Sequence, residues 1–297
     1  MSTSATHTIT VSPWQDFKEI TKMRLSISVV FSSVIGYFLG AYEIDWMIVV
    51  LLAVGGYFMV GASNAFNQVL EKDLDALMER TKNRPVASGR MSNATALSIA
   101  IVFTILGLGI LYYINPTTAM FGGISIFMYV LLYTPLKTKT PFSVFVGAFP
   151  GAIPFMLGWV AATNDFGIEP GTLFMIQFFW QFPHFWAIGW FLYDDYKRGG
   201  FFMLPTGKRD KGTAFQTVFY TICTILTSLV PAFGVTGALY LSPIAAVVVG
   251  ALGLFMLYWA IQLYSKRDAV TAKRLMLASV TYITLIQIVF VVDKFLR

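Results

Sequence analysis

The segment Trp46-Met-Ile-Val-Val-Leu-Leu-Ala-Val-Gly-Gly-Tyr-Phe-Met-Val-Gly-Ala-Ser-Asn-Ala-Phe66 decides the fold, because its 21 residues include no acidic or basic side chain. As an α-helix rising about 1.5 Å per residue, it is long enough to cross roughly 30 Å of hydrocarbon. Eight other apolar runs are of comparable length. We therefore predict an all-α integral membrane protein, a bundle of nine transmembrane helices. The predicted spans lie near residues 24–41, 46–66, 94–113, 118–133, 142–162, 171–192, 213–232, 243–264 and 275–293.

The composition supports a membrane protein. Hydrophobic residues make up 57% of the 297-residue chain and charged residues only 12%, which lies outside the range of soluble globular domains. Isolated prolines within the spans, such as Pro150, Pro154 and Pro183, are tolerated where neighbouring helices satisfy the freed carbonyls. A single cysteine, Cys223, excludes a disulfide framework. The net charge of +6 is explained by contact with the anionic lipid bilayer, so no nucleic-acid partner is predicted.

The basic residues are segregated to one side of the predicted bundle. Nineteen of the 21 Lys and Arg fall in the N-terminal segment or after the second, fourth, sixth and eighth spans. Only Lys294 and Arg297 fall opposite. The positive-inside rule predicts a multi-pass protein of the cell (inner) membrane, with a cytoplasmic N-terminus and the C-terminus on the opposite side. Residues 1–20 are predicted to be a mobile cytoplasmic tail, and residues 21–297 a single membrane-embedded domain.

Two connections on the basic side, residues 67–93 and 194–212, are long and rich in charge. We expect them to be cytoplasmic loops that cap the bundle. Long polar loops on one face indicate a reaction chamber closed at the membrane surface rather than a channel.

The first of these connections begins with polar residues at a spacing of four: Asn67, Glu71 and Asp75. On a helix, this spacing places an amide and two carboxylates on one face. Two like charges repel there, and a divalent cation would remove that repulsion. Oxygen ligands without Cys or His favour Mg²⁺. The alternative is an ordinary solvated helix end with ion pairs to Lys72 and Arg80.

The pattern Asn67-x-x-x-Glu71-x-x-x-Asp75, followed by Arg80-Thr-x-Asn-Arg84-Pro, resembles the first acidic motif of the UbiA superfamily of intramembrane prenyltransferases. That family more often has aspartate where Glu71 and Gln68 stand, and the version here is similar to the branch that farnesylates heme B. The resemblance covers roughly residues 20–293. It continues through Tyr133-Thr-Pro-Leu-Lys137, Val146-Gly-Ala-Phe-Pro-Gly-Ala-Ile-Pro154, Trp180-Gln-Phe-Pro-His184-Phe-Trp-Ala and Asp194-Asp-Tyr-Lys-Arg-Gly-Gly200.

The resemblance implies a UbiA-like fold and a set of roles at the basic side. Mg²⁺ would be held by Asn67, Glu71 and Asp75, which with Lys137 form the catalytic set. Tyr133 and Lys137 would bind a diphosphate, the lysine as a point charge and the tyrosine as a hydrogen-bond donor. Alternatively, the two are an interfacial aromatic residue and a topology-setting lysine. Further phosphate contacts are expected from Arg80 and Arg84, whose guanidinium groups can bind in a bidentate manner.

The second charged connection departs from the family's Asp-x-x-x-Asp pattern, because Asp194 and Asp195 are adjacent. The expectation is that Asp195 or Asp194 binds a second ion, or that these acids hold Lys197 and Arg198 in place. All four are counted as candidate substrate-binding residues.

His184 is the only histidine within the predicted spans. It precedes Asp195 by eleven residues, which places it about 16 Å deeper on nearly the same helix face. A histidine at such depth often marks function. We consider it a candidate axial ligand to heme iron or a porphyrin contact; the alternative is a buried polar residue satisfied by Gln181 or a neighbouring span.

The reaction implied by the resemblance joins farnesyl diphosphate to heme B with the help of Mg²⁺ and gives heme O. The product would pass to a heme A synthase or a terminal oxidase. Three other readings compete: an aromatic quinone-precursor acceptor, a secondary transporter and a structural membrane subunit. The charges gather at one face rather than at mid-membrane, which disfavours transport.

Overall fold

In the computed structural model, residues 12–297 are described, and all the regular elements among them are helices. Eight helical segments among them are long and apolar enough to cross a membrane; one of these, Pro116–Leu136, is interrupted by a π turn. The predicted all-α fold is thus confirmed. In chain order, the helices are α1 (Pro13–Ile20), α2 (Met23–Gly40), α3 (Trp46–Leu70), α4 (Lys72–Leu77), α5 (Asn93–Ile114), α6 (Pro116–Phe127), α7 (Thr134–Leu136), α8 (Ser143–Thr163), α9 (Ile168–Phe191), α10 (Tyr193–Arg198), α11 (Lys211–Leu229), α12 (Pro243–Lys266) and α13 (Ala269–Leu296).

The sixth predicted span, residues 171–192, corresponds to α9, which has 24 residues but is not among the eight. Its sequence includes Gln177, Gln181 and His184, and these polar residues lower its mean hydropathy. It packs against α8, α11 and α13. The count of nine spans therefore remains a prediction.

Side-chain caps set where several long helices begin. Asp45, Ser92, Asp210, Ser242 and Asp268 each accept a backbone N–H from the first turn of the following helix, which satisfies donors that have no partner within the helix. The Asp268 cap sets the start of α13 six residues before the predicted span. The prediction missed these residues because the first turns of α13 are polar. Lys273 and Arg274 on those turns are exposed.

The long helices form a closed ring. Each long helix packs on the next one in chain order, and the last, α13, packs on the first, α2. The order is α2, α3, α5, α6, α8, α9, α11, α12, α13. At the centre, α2 and α8 approach closely at Gly36 and Gly158, where an added Cβ would collide with the backbone of the opposite helix. Small residues allow this kind of helix contact in membrane bundles.

The segment expected to be a mobile tail contains α1. Ser12 caps this helix, Ile20 is fully buried, and Arg90 bonds to Asp16 at 2.9 Å and to Glu19 at 2.8 Å. The polar side chains that suggested a mobile tail form these contacts instead. Residues 13–20 therefore belong to the folded part, and residues 1–11 lie outside the described residues.

Candidate active site

The first charged connection keeps its polar row on one face, although α3 ends at Leu70 and α4 begins at Lys72. The backbone N–H of Glu71 donates to the carbonyl of Asn67 at 2.9 Å, and that of Asp75 to the carbonyl of Glu71 at 2.7 Å. Because these i to i−4 bonds continue through the break, the three side chains emerge on the same side.

Asn67, Glu71 and Lys137 form one hydrogen-bonded group. The Lys137 Nζ donates to Glu71 Oε1 at 2.7 Å and to Asn67 Oδ1 at 2.9 Å, while Asn67 Nδ2 donates to Glu71 Oε2 at 2.6 Å. The Tyr129 hydroxyl donates to the same Asn67 oxygen at 3.4 Å. Asn67 is 2% exposed and Glu71 4%. Buried charges of this kind require partners, and here the partners are side chains.

Asp75 lies beside this group and is 1% exposed. Nη1 of Arg84 donates to both of its oxygens, at 2.9 and 2.7 Å. Burial raises the pKa of the Asp75 carboxyl, and the Arg84 charge opposes that rise. A carboxylate whose charged form is penalised by burial is one that a nearby cation stabilises.

The charges of this site also act on Lys22, which in the sequence was counted only among the basic residues that set the membrane orientation. Its backbone is left-handed, with φ 44°, at the residue before α2. Gln68 and Asn64 of α3 donate to the carbonyls of Glu19 and Thr21 and fix this corner. Burial lowers the pKa of Lys22, and the charges of Arg84 and Lys137 lower it further, with Glu71 acting in the opposite direction.

We call Lys22, Asn67, Glu71, Asp75, Arg84 and Lys137 the polar cluster. It contains two carboxylates and three cations. The charge of Arg80 also lowers the pKa of Lys22. The excess of positive charge suits an anionic ligand. Among the described residues, no group of three or more His, Cys, Asp or Glu could hold a metal ion. A metal at the cluster would therefore need oxygens from the amide, water or substrate as well.

Tyr133 stands next to the cluster, in a π-helical turn at Met128–Tyr133 between α6 and α7. The Lys137 ammonium lies 4.5 Å from the centre of its ring. Tyr129 is in the same turn, with ring centroids 5.2 Å apart. Single π turns within α-helices often occur at functional sites. Here the turn aims both tyrosines toward the cluster.

A small, mostly apolar cavity of about 50 Å³ lies deeper in the bundle, between α2, α3, α6 and α8. The α3 residues that line it include Gly56 and Ser63, and Asn67 follows Ser63 by four residues. On α6 the lining residue Ile126 is similarly three residues before Tyr129. Residues three or four apart share a helix face, so the polar cluster continues the faces that line the cavity.

The second charged connection contributes differently. Asp195 is buried, and its Oδ1 accepts from the Glu79 N–H at 2.8 Å and from Arg198 Nη2 at 2.6 Å, while Oδ2 accepts from the Arg80 N–H at 3.2 Å. Burial tends to raise the pKa of Asp195, but these hydrogen bonds outweigh it and leave the pKa lowered. Asp195 thus holds the first connection in place, a role not foreseen in the sequence.

The remaining predicted residues are more peripheral. The Asp194 side chain is 78% exposed and pairs with Arg209 at 3.0 Å. Lys197 and Arg198 are also exposed. The Arg80 guanidinium lies 5.5 Å from the centre of the Tyr196 ring. Together, the contacts unite Asn67, Glu71, Asp75, Arg84, Tyr133 and Lys137, with Arg80 and Asp195 beside them.

His184 lies on another part of the bundle, where α9 packs on α13. Its Nδ1 is 2.9 Å from the Ser279 hydroxyl, and its ring stacks on Trp180 with centroids 4.6 Å apart. Of the two predicted alternative partners, Gln181 instead donates to the carbonyls of Ala148 and Gln177, and a neighbouring helix provides Ser279.

The profile of the UbiA prenyltransferase family matches residues 29–285, which includes nearly all the long helices and the site. The chain belongs to the UbiA prenyltransferase family. It is 69% identical over 297 residues to a protoheme IX farnesyltransferase of Christiangramia forsetii, covering all of this chain and 99% of that protein. It is 67% identical over 289 residues to a protoheme IX farnesyltransferase of Flavobacterium psychrophilum, covering 96% of each.

Solved structures share the UbiA fold. A digeranylgeranylglyceryl phosphate synthase superposes with a TM-score of 0.77 at 18% identity, covering 94% of this chain and 98% of that one. A UbiA homologue from Archaeoglobus fulgidus bound to GPP and Mg²⁺ gives a TM-score of 0.68 at 15% identity, covering 93% and 99%. The resemblance drawn from the acidic motifs is confirmed at the level of the family and the fold.

Proposed function

We propose that this chain transfers the farnesyl group of farnesyl diphosphate to heme B and so forms heme O. The observation that carries the proposal is the polar cluster, whose helix faces continue into an apolar cavity. This arrangement suits a ligand with an anionic head and an apolar tail. The two relatives described above, named protoheme IX farnesyltransferase, support this donor and this acceptor.

The cations of the cluster bind the diphosphate. Lys137 and Lys22 act as point charges, and Arg84 can donate two parallel hydrogen bonds to phosphate oxygens. Tyr133 donates from its hydroxyl. In the structure, Lys137 and Arg84 are bonded to Glu71 and Asp75, so the arriving diphosphate competes with those carboxylates for the same donors.

The donor set fits Mg²⁺. Glu71, Asp75 and Asn67 offer buried oxygens without nitrogen or sulfur ligands, and this ion typically takes one or two carboxylates together with water and substrate phosphates. The raised pKa of Asp75 fits a carboxylate that gains from a nearby cation. When bound by these residues, Mg²⁺ supplies positive charge that stabilises the departing diphosphate.

The chemistry is an electrophilic prenyl transfer. The bond between the farnesyl C1 and the diphosphate oxygen breaks, and its electron pair leaves with the diphosphate. The π electrons of a heme vinyl group then form a bond to C1 of the allylic cation. Water adds to the cation that results on the heme side and loses one proton to solvent, which leaves a hydroxyl group. The apolar cavity keeps water from the allylic cation before the new bond forms.

The membrane arrangement is part of the proposal. The polar cluster faces the cytoplasm at the inner membrane, where a water-soluble diphosphate product can leave. Heme O stays in the lipid bilayer and passes to a heme A synthase or a terminal oxidase.

The decisive experiment incubates the purified protein in lipid with heme B, farnesyl diphosphate and Mg²⁺, and identifies the extracted hemes by mass spectrometry. We expect a heme heavier by one farnesyl group and one hydroxyl group. The Glu71→Gln variant serves as the matched control. Farnesol without heme O, or a prenylated aromatic acid when such acceptors are added, would contradict the proposal.

A further inference from the structure

The hydrogen bonds of Ser279 determine which nitrogen of His184 carries the proton. A serine hydroxyl has one proton to donate. Both of its contacts, with the Met276 carbonyl at 2.7 Å and with His184 Nδ1 at 2.9 Å, are satisfied when Ser279 Oγ donates to the carbonyl and His184 Nδ1 donates to Ser279 Oγ. The ring of His184 is therefore protonated at Nδ1, and in the neutral imidazole the lone pair lies on Nε2.

The orientation of the ring is fixed by the same residue. Trp180 Nε1 donates to the backbone carbonyl of Ser279 at 2.7 Å, and its indole stacks on the His184 imidazole with an interplanar angle of 18°. Trp180 and His184, one turn apart on α9, are thus both tied to residue 279 of α13. Trp180 therefore covers one face of the imidazole, and Ser279 bonds to its Nδ1.

The other nitrogen is available. Nε2 forms no hydrogen bond with any residue of the range 12–297, and the histidine is only half-buried. A neutral imidazole with one N–H donated to a neighbour and the other nitrogen free has the arrangement of histidines that bind metals, because the second hydrogen bond fixes the tautomer and raises the basicity of the ligand.

We propose that Ser279 is a positioning residue that presents Nε2 of His184 to the iron of the heme substrate. The inference rests on the proposed function, since it takes a heme as the ligand. It adds that α13 takes part in substrate recognition through a residue that the sequence did not single out. Ser279 does not touch the iron; it acts through the proton on Nδ1.

The test uses the full-length protein loaded with heme B in detergent or lipid, and reads the absorption and resonance Raman spectra of the iron. We expect histidine ligation in the unaltered protein and its loss in His184→Ala, with recovery on adding imidazole. Ser279→Ala should keep the fold but weaken heme binding by about 10-fold and shift the iron–nitrogen stretching frequency, whereas Ser279→Thr should restore both.

Ser228→Ala is the matched control. Ser228 is also a fully buried serine whose hydroxyl donates to a backbone carbonyl of its own helix, at 2.8 Å, and we expect its spectrum to match that of the unaltered protein. An unchanged iron spectrum in His184→Ala, or equal spectra for Ser279→Ala and Ser228→Ala, would overturn the inference.

The two proposals fail separately. If the protein makes heme O while the His184→Ala spectrum is unchanged, the ligation inference is wrong and the proposed function stands. If the unaltered protein binds heme through His184 but makes no heme O, the inference is supported and the proposed reaction is wrong.

Discussion

The two charged connections carry acids that look equivalent in the sequence, yet the structure uses them in opposite ways. In the first, the carboxylates of Glu71 and Asp75 bond only to the side chains of neighbours, Lys137, Asn67 and Arg84. In the second, Asp195 accepts two backbone N–H groups of the first connection. Side-chain partners can turn toward a ligand, whereas backbone partners can be released only by unfolding the loop. The first connection is therefore equipped to bind, and the second to hold it in place.

The largest effect should come from neutralising an acid of the first connection. Glu71→Gln keeps the shape of the side chain but removes the charge that balances Lys137 and that we propose contributes to a metal site. We expect turnover of farnesyl diphosphate to fall by about 10³-fold or more, measured as heme O formed per minute. Asp75→Asn should behave in the same way.

A folding defect would mimic this result, since breaking a buried ion pair costs about 3–5 kcal/mol. The variants should therefore be compared by elution profile and thermal unfolding in detergent. Heme O production within ten-fold of normal by both variants would contradict a binding role for the acids of the first connection.

The next effect tests the cations. Lys137→Ala and Lys22→Ala each remove a charge that we assign to the diphosphate, so the KM for farnesyl diphosphate should rise by about 10-fold or more, since hydrogen bonds to charged groups contribute about 1.5–3 kcal/mol. The affinity for heme B should change little. Lys139→Ala, an exposed lysine near the same loop, is the matched control and should leave KM unchanged. Equal KM values for Lys22→Ala and Lys139→Ala would exclude Lys22 from the site.

Asp195→Asn should have an intermediate effect of a different kind. The amide keeps one acceptor oxygen and loses the other, so the N–H groups of Glu79 and Arg80 cannot both keep their bonds. We expect stability to fall by about 1.5–3 kcal/mol and the amide protons of residues 79 and 80 to exchange faster with solvent. If exchange there stays slow while magnesium dependence is lost, Asp195 is a metal ligand and not a loop contact.

The smallest effect is expected for Asp194→Asn. This side chain is mostly exposed and pairs with Arg209, and such surface pairs contribute about 0–1 kcal/mol. Turnover and KM should stay within two-fold of normal in the same heme O assay. A large loss would give the second connection a direct part in binding.

The sequence was sufficient for features that depend on local pattern. Uninterrupted apolar runs predicted the long helices, and a spacing of four predicted that Asn67, Glu71 and Asp75 share a face, because both depend on helical repeat alone. The bond between Asp195 and Arg80 joins residues 115 positions apart, and nothing local in either connection indicates it. Lys22 was overlooked for a related reason. It has a left-handed backbone just before α2, and amides of α3 hold this corner so that the lysine lies among the charges of the site. The π-helical turn at Tyr133 likewise has no signature in composition.

Lys294, one of the two basic residues on the side that otherwise lacks Lys and Arg, donates to the carbonyls of Phe38, Leu39 and Ala41 at the end of α2. Its partner Phe38 lies 256 residues earlier in the chain. The carbonyls at the end of α2 therefore gain this donor only after almost the whole domain has been synthesised. The contact between the first and last long helices can therefore form only at the end of synthesis.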